Sequence, residues 1–136
     1  MNNFFDDTDL EFKVSDQSIE TEAGSLEYDV ENACLFVNSI NVYRRRRGIG
    51  TQIVQRLEKL ATEKKISVIA VPVSPTYEAV SFWYAMNYNP SARTDKYWFN
   101  KLIRSGCDRV ETPQGVIVFD KKLKKRKATE CSVITK

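Results

Sequence analysis

Between Ala33 and Met86 the spacing of the apolar residues changes period three times, and few folds accept that order. Ala33 to Val42 (A-C-L-F-V-N-S-I-N-V) reads as a strand with a polar break at Asn38-Ser39. From Gly50 onward, Ile53, Val54, Leu57, Leu60 and Ala61 form one stripe of a helix, with charged residues opposite and Glu63, Lys64 and Lys65 at its end. Ile66 to Val73 (I-S-V-I-A-V-P-V) is nearly all apolar, the composition of a strand covered on both faces. Ser74-Pro75 then supplies an N-cap followed by proline at the first helical position. The helix it opens runs to about Met86 and turns Ala79, Phe82, Trp83 and Met86 to one side. Strand, helix, strand, helix in this order is an α/β arrangement.

The flanks complete a mixed sheet. Leu10 to Val14 and Ser25 to Val30 alternate as half-buried strands do, the second with Leu26, Tyr28 and Val30 on one face. Thr21 to Gly24 reads as a turn and Glu31-Asn32 as a hairpin link, so the chain begins with an antiparallel meander. Thr94 to Gly106 fits a helix with glycine just past its end, although Tyr97-Trp98-Phe99 would also suit a strand. Val116 to Leu123 is the expected last strand. Residues 1–123 are expected to form one domain, and 124–136, without apolar periodicity, an unfolded basic tail.

Composition removes several chemistries. The chain has 136 residues and no histidine, which excludes Ser-His and Cys-His nucleophilic catalysis. Cys34, Cys107 and Cys131 are scattered and form no C-x-x-C pair, so no metal site is expected. No apolar run approaches the ~18 residues of a membrane span. The first residues lack the pattern of a signal peptide, and a cytoplasmic location is expected. The net charge of +3 is uneven, since residues 1–31 are acidic while Lys121 to Lys127 holds six cations in seven residues. That run is either a solvated tail or a grip on nucleic acid, an acidic partner or anionic lipid.

Arg44 to Gly50 (R-R-R-R-G-I-G) stands between the strand ending near Val42 and the helix starting near Gly50. A helix N-terminus presents unpaired N–H groups and the positive end of its dipole, which together favour an anion. Gly48 and Gly50 permit positive φ and close backbone approach. The segment is not a Walker loop, and Ile53 stands where a dinucleotide fingerprint needs its third glycine. What remains is R-x-x-G-x-G at Arg45 to Gly50, which resembles the pyrophosphate loop (Q/R-x-x-G-x-G/A) of the GNAT acetyltransferases. Ala79 to Tyr88 (A-V-S-F-W-Y-A-M-N-Y) is similar to the same family's A-x-x-F-Y-x-x-x-G-F, with Trp83 in the place of the tyrosine, Asn87 for glycine and Tyr88 for phenylalanine. The two segments span about Leu35 to Tyr88, and the closing V-F-D-K-K-L is similar to the family's last strand.

The resemblance implies a single-domain, mixed but mostly antiparallel sheet flanked by helices, with acetyl-CoA as cosubstrate and no metal. It implies a pyrophosphate cradle from Arg45, Arg46, Arg47, Gly48, Ile49, Gly50 and Thr51, and a pantetheine arm lying along Ser39, Ile40 and Val42. Phe82 and Trp83 would also contact the cofactor. The family's bulge in this strand parts it from the next one and opens the cleft, and Asn38-Ser39 is compatible with that. The implied reaction is direct attack by an amine on the thioester. The usual tyrosine acid is replaced by Trp83, which leaves Tyr84 as the expected proton donor, with Glu27, Glu31 or water as bases. Fewer residues precede Arg45 than the family usually has, so the two helices that roof the acceptor site are not expected. That favours a bulky acceptor such as a protein lysine over a small amine, or a cleft completed by a partner or a second copy. Compact proteins of this build occur in phage and mobile elements, where they would modify a host protein. Two alternatives stay open. One is a CoA-binding module without catalysis, and the other is a nucleic-acid binder using Arg44–Arg47 and Lys121–Lys127.

Overall fold

The computed structural model describes residues 11–43 and 48–123. Four strands come first: β1 (Lys13–Val14), β2 (Ser18–Thr21), β3 (Gly24–Glu31) and β4 (Cys34–Val42). Then follow α1 (Ile49–Glu63), β5 (Val68–Val73), α2 (Tyr77–Ala85), α3 (Arg93–Ser105) and β6 (Ile117–Lys122). The strands form one sheet in sequence order. All neighbours are antiparallel except β4 and β5, which α1 connects as a parallel crossover. The sheet is therefore mixed and mostly antiparallel, as expected.

The details depart from expectation in several places. Ser18 to Thr21 is a strand of its own, and the turn shrinks to Glu22 and Ala23. Leu26 and Tyr28 are buried as the alternation predicts, but Val30 is 42% exposed, since β2 pairs with β3 only as far as Glu27 and leaves this end of β3 without a neighbour on that side. The second helix starts later: Thr76, not Ser74, is its N-cap, and the Thr76 hydroxyl accepts from the Ala79 N–H at 3.2 Å. Its buried residues are Val80 and Trp83, while Ala79, Phe82 and Met86 are only partly covered.

The stretch expected as helix or strand is a helix, Arg93–Ser105. Asp95 in the first turn of α3 accepts from the Val118 N–H at 3.0 Å, which satisfies an edge group of β6, and Gly106 closes the helix in the left-handed conformation at φ 73. Leu102 is fully buried, and Phe99 packs edge-on against Phe119 at 5.7 Å. These tertiary contacts override the strand propensity of Tyr97-Trp98-Phe99.

Burial alternates along the strands and shows where the helices lie. Leu26, Leu35, Ile69, Val71, Ile117 and Phe119 are all buried, with Leu35 paired to Ile69 and Val71 to Phe119. Their side of the sheet receives Ile53, Val54, Leu57 and Ala61 of α1. Gly24 lets that helix come close, since a Cβ there would stand 3.0 Å from Cδ1 of Ile53 and 2.7 Å from the Asn41 carbonyl oxygen. The opposite set, Glu27, Asp29, Phe36, Ala70, Pro72 and Val118, is half-buried or exposed. The expectation of a fifth strand covered on both faces is thus corrected: Ile69, Val71 and Val73 face the core, and Pro72 faces outward.

A polar link ties three elements together on the covered side. The Tyr88 hydroxyl donates to Oε2 of Glu58 at 2.8 Å, and Nζ of Lys121 donates to the same oxygen and to the Met86 carbonyl, each at 3.1 Å. Burial first, then the charge and hydrogen bond of Glu58, push the Tyr88 hydroxyl far above the usual tyrosine range. Above pH ~10 the unfolded chain releases this proton and the folded chain keeps it, so stability falls by about 1.4 kcal/mol per pH unit for this group. The contribution is fully present below pH ~10. Tyr88→Phe is expected to flatten the alkaline limb of a stability-against-pH curve by one proton, measured by urea unfolding. An unchanged slope would place the proton elsewhere.

Candidate functional site

Ladder pairing between β4 and β5 stops early. Cys34, Leu35 and Phe36 pair with Val68, Ile69 and Ala70, and beyond them the strands part. The cause is in β4. Ser39 pairs with Glu27 and Val37 with Tyr28, which leaves Asn38 as the extra residue of a β-bulge. A bulge bends its strand and strengthens the local twist, so the far half of β4 swings away from β5. The polar Asn38-Ser39 break is the sequence trace of that bend. Nδ2 of Asn38 donates to Oδ2 of Asp29 at 2.8 Å and fixes the bulge to β3.

The gap widens into a cleft of about 800 Å³. Ile40 and Val42 form its β4 wall, Gly48, Gly50 and Thr51 its head, and Phe82 and Trp83 its α2 wall. Ser74, Thr76, Glu78 and Ala79 complete it beyond β5. At the head, Gly48 is the N-cap of α1 in the left-handed conformation at φ 88 and gives no side-chain cap. The first helical bond there runs from the Gln52 N–H to the Gly48 carbonyl at 2.9 Å. The N–H groups of Ile49, Gly50 and Thr51 come before that ladder and end beside the cleft, with no acidic residue in the first turn. Gly50 has another reason to be glycine: a Cβ would lie 3.3 Å from Cε1 and Cζ of Phe82 and 4.0 Å from Cγ2 of Val42.

The α2 wall is rigid. Trp83 is 4% exposed and meets Phe82 and Tyr88 in edge-to-face contacts at 5.2 and 4.9 Å. Glu78 is the one carboxylate among the lining residues. Among the described residues no group of three or more side chains is arranged to hold a metal ion, and no helix is long and apolar enough to cross a membrane.

Most residues chosen from the sequence meet here. Ile40, Val42, Gly48, Gly50, Thr51, Phe82 and Trp83 line the cleft. Ile49 turns its side chain into the core at 0% exposure, so only its backbone reaches the head. Ser39 sits at the bulge across from Glu27, which is exposed, as is Glu31. Arg44, Arg45, Arg46 and Arg47 lie outside the described residues, and so does the basic run after Leu123. The structure does not bring Tyr84 to the cleft. It is 53% exposed, stacks at 5.3 Å on Phe99 of α3, and lines a separate depression with Asn89 and Lys96. One step along a helix turns a side chain by about 100°, which carries Tyr84 away from the direction of Trp83. The sequence reading missed Ser74, Thr76, Glu78 and Ala79 as lining residues. The available signal was Thr76 followed two positions later by Glu78, a competing helix start with an acid in its first turn.

No protein-family model matches the sequence, and no curated protein matches it either. Solved structures do. The anti-CRISPR protein AcrVA5 shares 15% identity at a TM-score of 0.55, over 76% of this chain and 95% of that one. The PaiA N-acetyltransferase of Thermoplasma acidophilum, in complex with coenzyme A, shares 14% at 0.56, over 78% of this chain and 60% of that one. The ribosomal-protein-S18-alanine N-acetyltransferase of Escherichia coli shares 11% at 0.58, over 81% and 71%. Identities this low establish a fold, and the fold of this chain is that of the GNAT N-acetyltransferases.

Proposed function

We propose that this chain transfers an acetyl group from acetyl-CoA to a primary amine, and that the acceptor is a lysine of a protein. The observation that carries the reading is the parting of β4 from β5 beside the uncapped start of α1. The free edge of β4 suits a ligand arm with amide groups, which adds to a sheet as a strand would. The first-turn N–H groups and the helix dipole suit a pyrophosphate. Gly50 keeps the passage between Val42 and Phe82 open, and Phe82 and Trp83 give it an apolar wall. These features fit a coenzyme A ligand. Arg45, Arg46 and Arg47 add charge to the pyrophosphate in this reading.

Acetyl-CoA supplies an acyl group already activated as a thioester. The protein's task is to hold it, exclude water from it and present a backbone N–H near the bulge to the carbonyl oxygen as charge develops there. Water takes the proton of the incoming ammonium group and delivers one to the departing thiolate, since Tyr84 lies outside the cleft. The reading places the protein in the cytoplasm, where acetyl-CoA is at hand.

Titration calorimetry with CoA, followed by release of free thiol in the presence of a lysine-containing peptide, tests it. Saturable binding and peptide-dependent thiol release are expected, and absence of CoA binding ends the reading. The position of Tyr84 also favours a second reading, a CoA-binding module without catalysis. Its signature is normal CoA affinity with no thiol release on any amine offered.

A further inference from the structure

The parting of β4 and β5 is a gap in the sheet, and so it has two sides. The helix side holds the cleft already described. On the other side, cross-strand rows lie open among the described residues. Asp29, Phe36, Ala70 and Asp120 are in register across four strands, and Glu31, Cys34, Val68 and Lys122 form the next row. Glu27 pairs with Ser39 at the bulge itself. Phe36 is 40% exposed, Pro72 is exposed, and Val68, Ala70 and Val118 are half-covered. A phenylalanine in the middle of a sheet, left this open, is an unfinished surface.

The charge on this side is one-sided along β3, from Glu27 at the bulge to Glu31. Glu27, Asp29 and Glu31 are exposed, and Gly24 to Val42 contains no lysine or arginine at all. The nearest cations along the rows are Lys122 on β6 and Lys13 on β1, the latter across from Glu20. Strand register sets Asp120 and Glu31 on the same face as Cys34, whose thiol is pushed up by burial first and then by these two carboxylates. The whole chain carries +3, so this negative face runs against its general charge.

We propose that the open face of the sheet receives the acceptor protein as an extended, cationic segment. The carboxylates of Glu27, Asp29 and Glu31 hold the segment's cations and Phe36 its apolar part, while one lysine reaches through the gap to the thioester. The inference rests on the acetyltransferase reading and sharpens its acceptor to a lysine among other basic residues. Complementary charge of this kind selects partners and accelerates encounter. An acidic segment would meet like charge there.

The test uses the full chain and two peptides of equal length, one with a lysine flanked by arginines and one flanked by glutamates. Fluorescence anisotropy without CoA reads docking alone, and acetyl-CoA calorimetry is run in parallel. The basic peptide is expected to bind, with affinity falling as salt rises. Neutralising the face by Glu27→Gln and Glu31→Gln together, with Asp29 kept because it anchors the bulge, is expected to weaken it by about fivefold or more, since exposed pairs contribute modestly but two are removed. Acetyl-CoA affinity and melting temperature should not change. Equal binding of both peptides, an unaffected double variant, or burial of this face in a dimer of the chain overturns the proposal. Failure of acetyl-CoA to bind the native chain defeats the functional reading instead, whatever the peptides do.

Discussion

Gly50→Val is expected to weaken acetyl-CoA binding by about a hundredfold while leaving the fold intact. The alanine variant separates the steps. A single Cβ at position 50 would stand 3.3 Å from two ring atoms of Phe82, so the ring must give way by a few tenths of an ångström. Valine adds two more carbons to a space bounded on its other side by Cγ2 of Val42. The ring of Phe82, backed by Trp83, then yields toward the cleft, where the ligand arm is to lie. Overpacking typically costs about 1–3 kcal/mol. When the cost falls on the bound state, its upper end is a hundredfold in affinity. Helix stability does not share the loss, because glycine is itself a poor helix former by roughly 1 kcal/mol. Gly48→Ala probes a different property. Its Cβ would meet nothing nearer than Nε2 of Gln52 at 4.0 Å, but φ 88 costs an alanine about 1–2 kcal/mol and pulls the first-turn N–H groups out of line. Calorimetry on the three variants, with thermal melts alongside, checks the order. Unchanged affinity in Gly50→Val would remove the start of α1 from the ligand site.

The glycine at position 50 of a strand-to-helix loop was legible in the sequence, although its packing against Phe82 was not. The R-x-x-G-x-G pattern showed a strand-to-helix loop, but only coordinates show Phe82 standing over Gly50. The helical stripe of α1 was read directly because its period repeats from Ile53 to Ala61 and nothing competes with it. Asn38-Ser39 signalled a break in β4, and pairing with Glu27 and Tyr28 turned that break into a bulge with a defined extra residue. Failures cluster where two local signals compete. Ser74-Pro75 is a good helix start, yet Thr76 with Glu78 behind it was chosen, and this moved two hydroxyl-bearing residues into the cleft wall. Ile66 to Val73 looked buried on both faces because composition does not count helices. The helices pack on one side, and Pro72 and Phe36 are left facing out. Tyr84 was selected because it neighbours Trp83, and helix geometry sends neighbours in different directions.

Trp83 itself is expected to act through packing, and two substitutions separate that from chemistry. Its ring is 4% exposed and wedged edge-on between Phe82, which walls the cleft, and Tyr88, which reaches Glu58 and through it Lys121. Trp83→Ala removes the centre of this stack, and such truncations cost about 3–5 kcal/mol, a large part of the roughly 5–15 kcal/mol that holds a domain folded. Melting should drop by more than ten degrees or so on that scale, and the cleft wall should be lost with it. Trp83→Phe keeps an aromatic face toward both neighbours and is expected to retain most of the stability and nearly all of the CoA affinity. An indole has an N–H to donate in a hydrogen bond but no proton to surrender at neutral pH. Thiol release by Trp83→Phe should therefore stay within a few fold of the native rate. A hundredfold loss of turnover in that variant, with binding and melting preserved, would give the indole a role at the reacting atoms and leave packing as the lesser reason for its place.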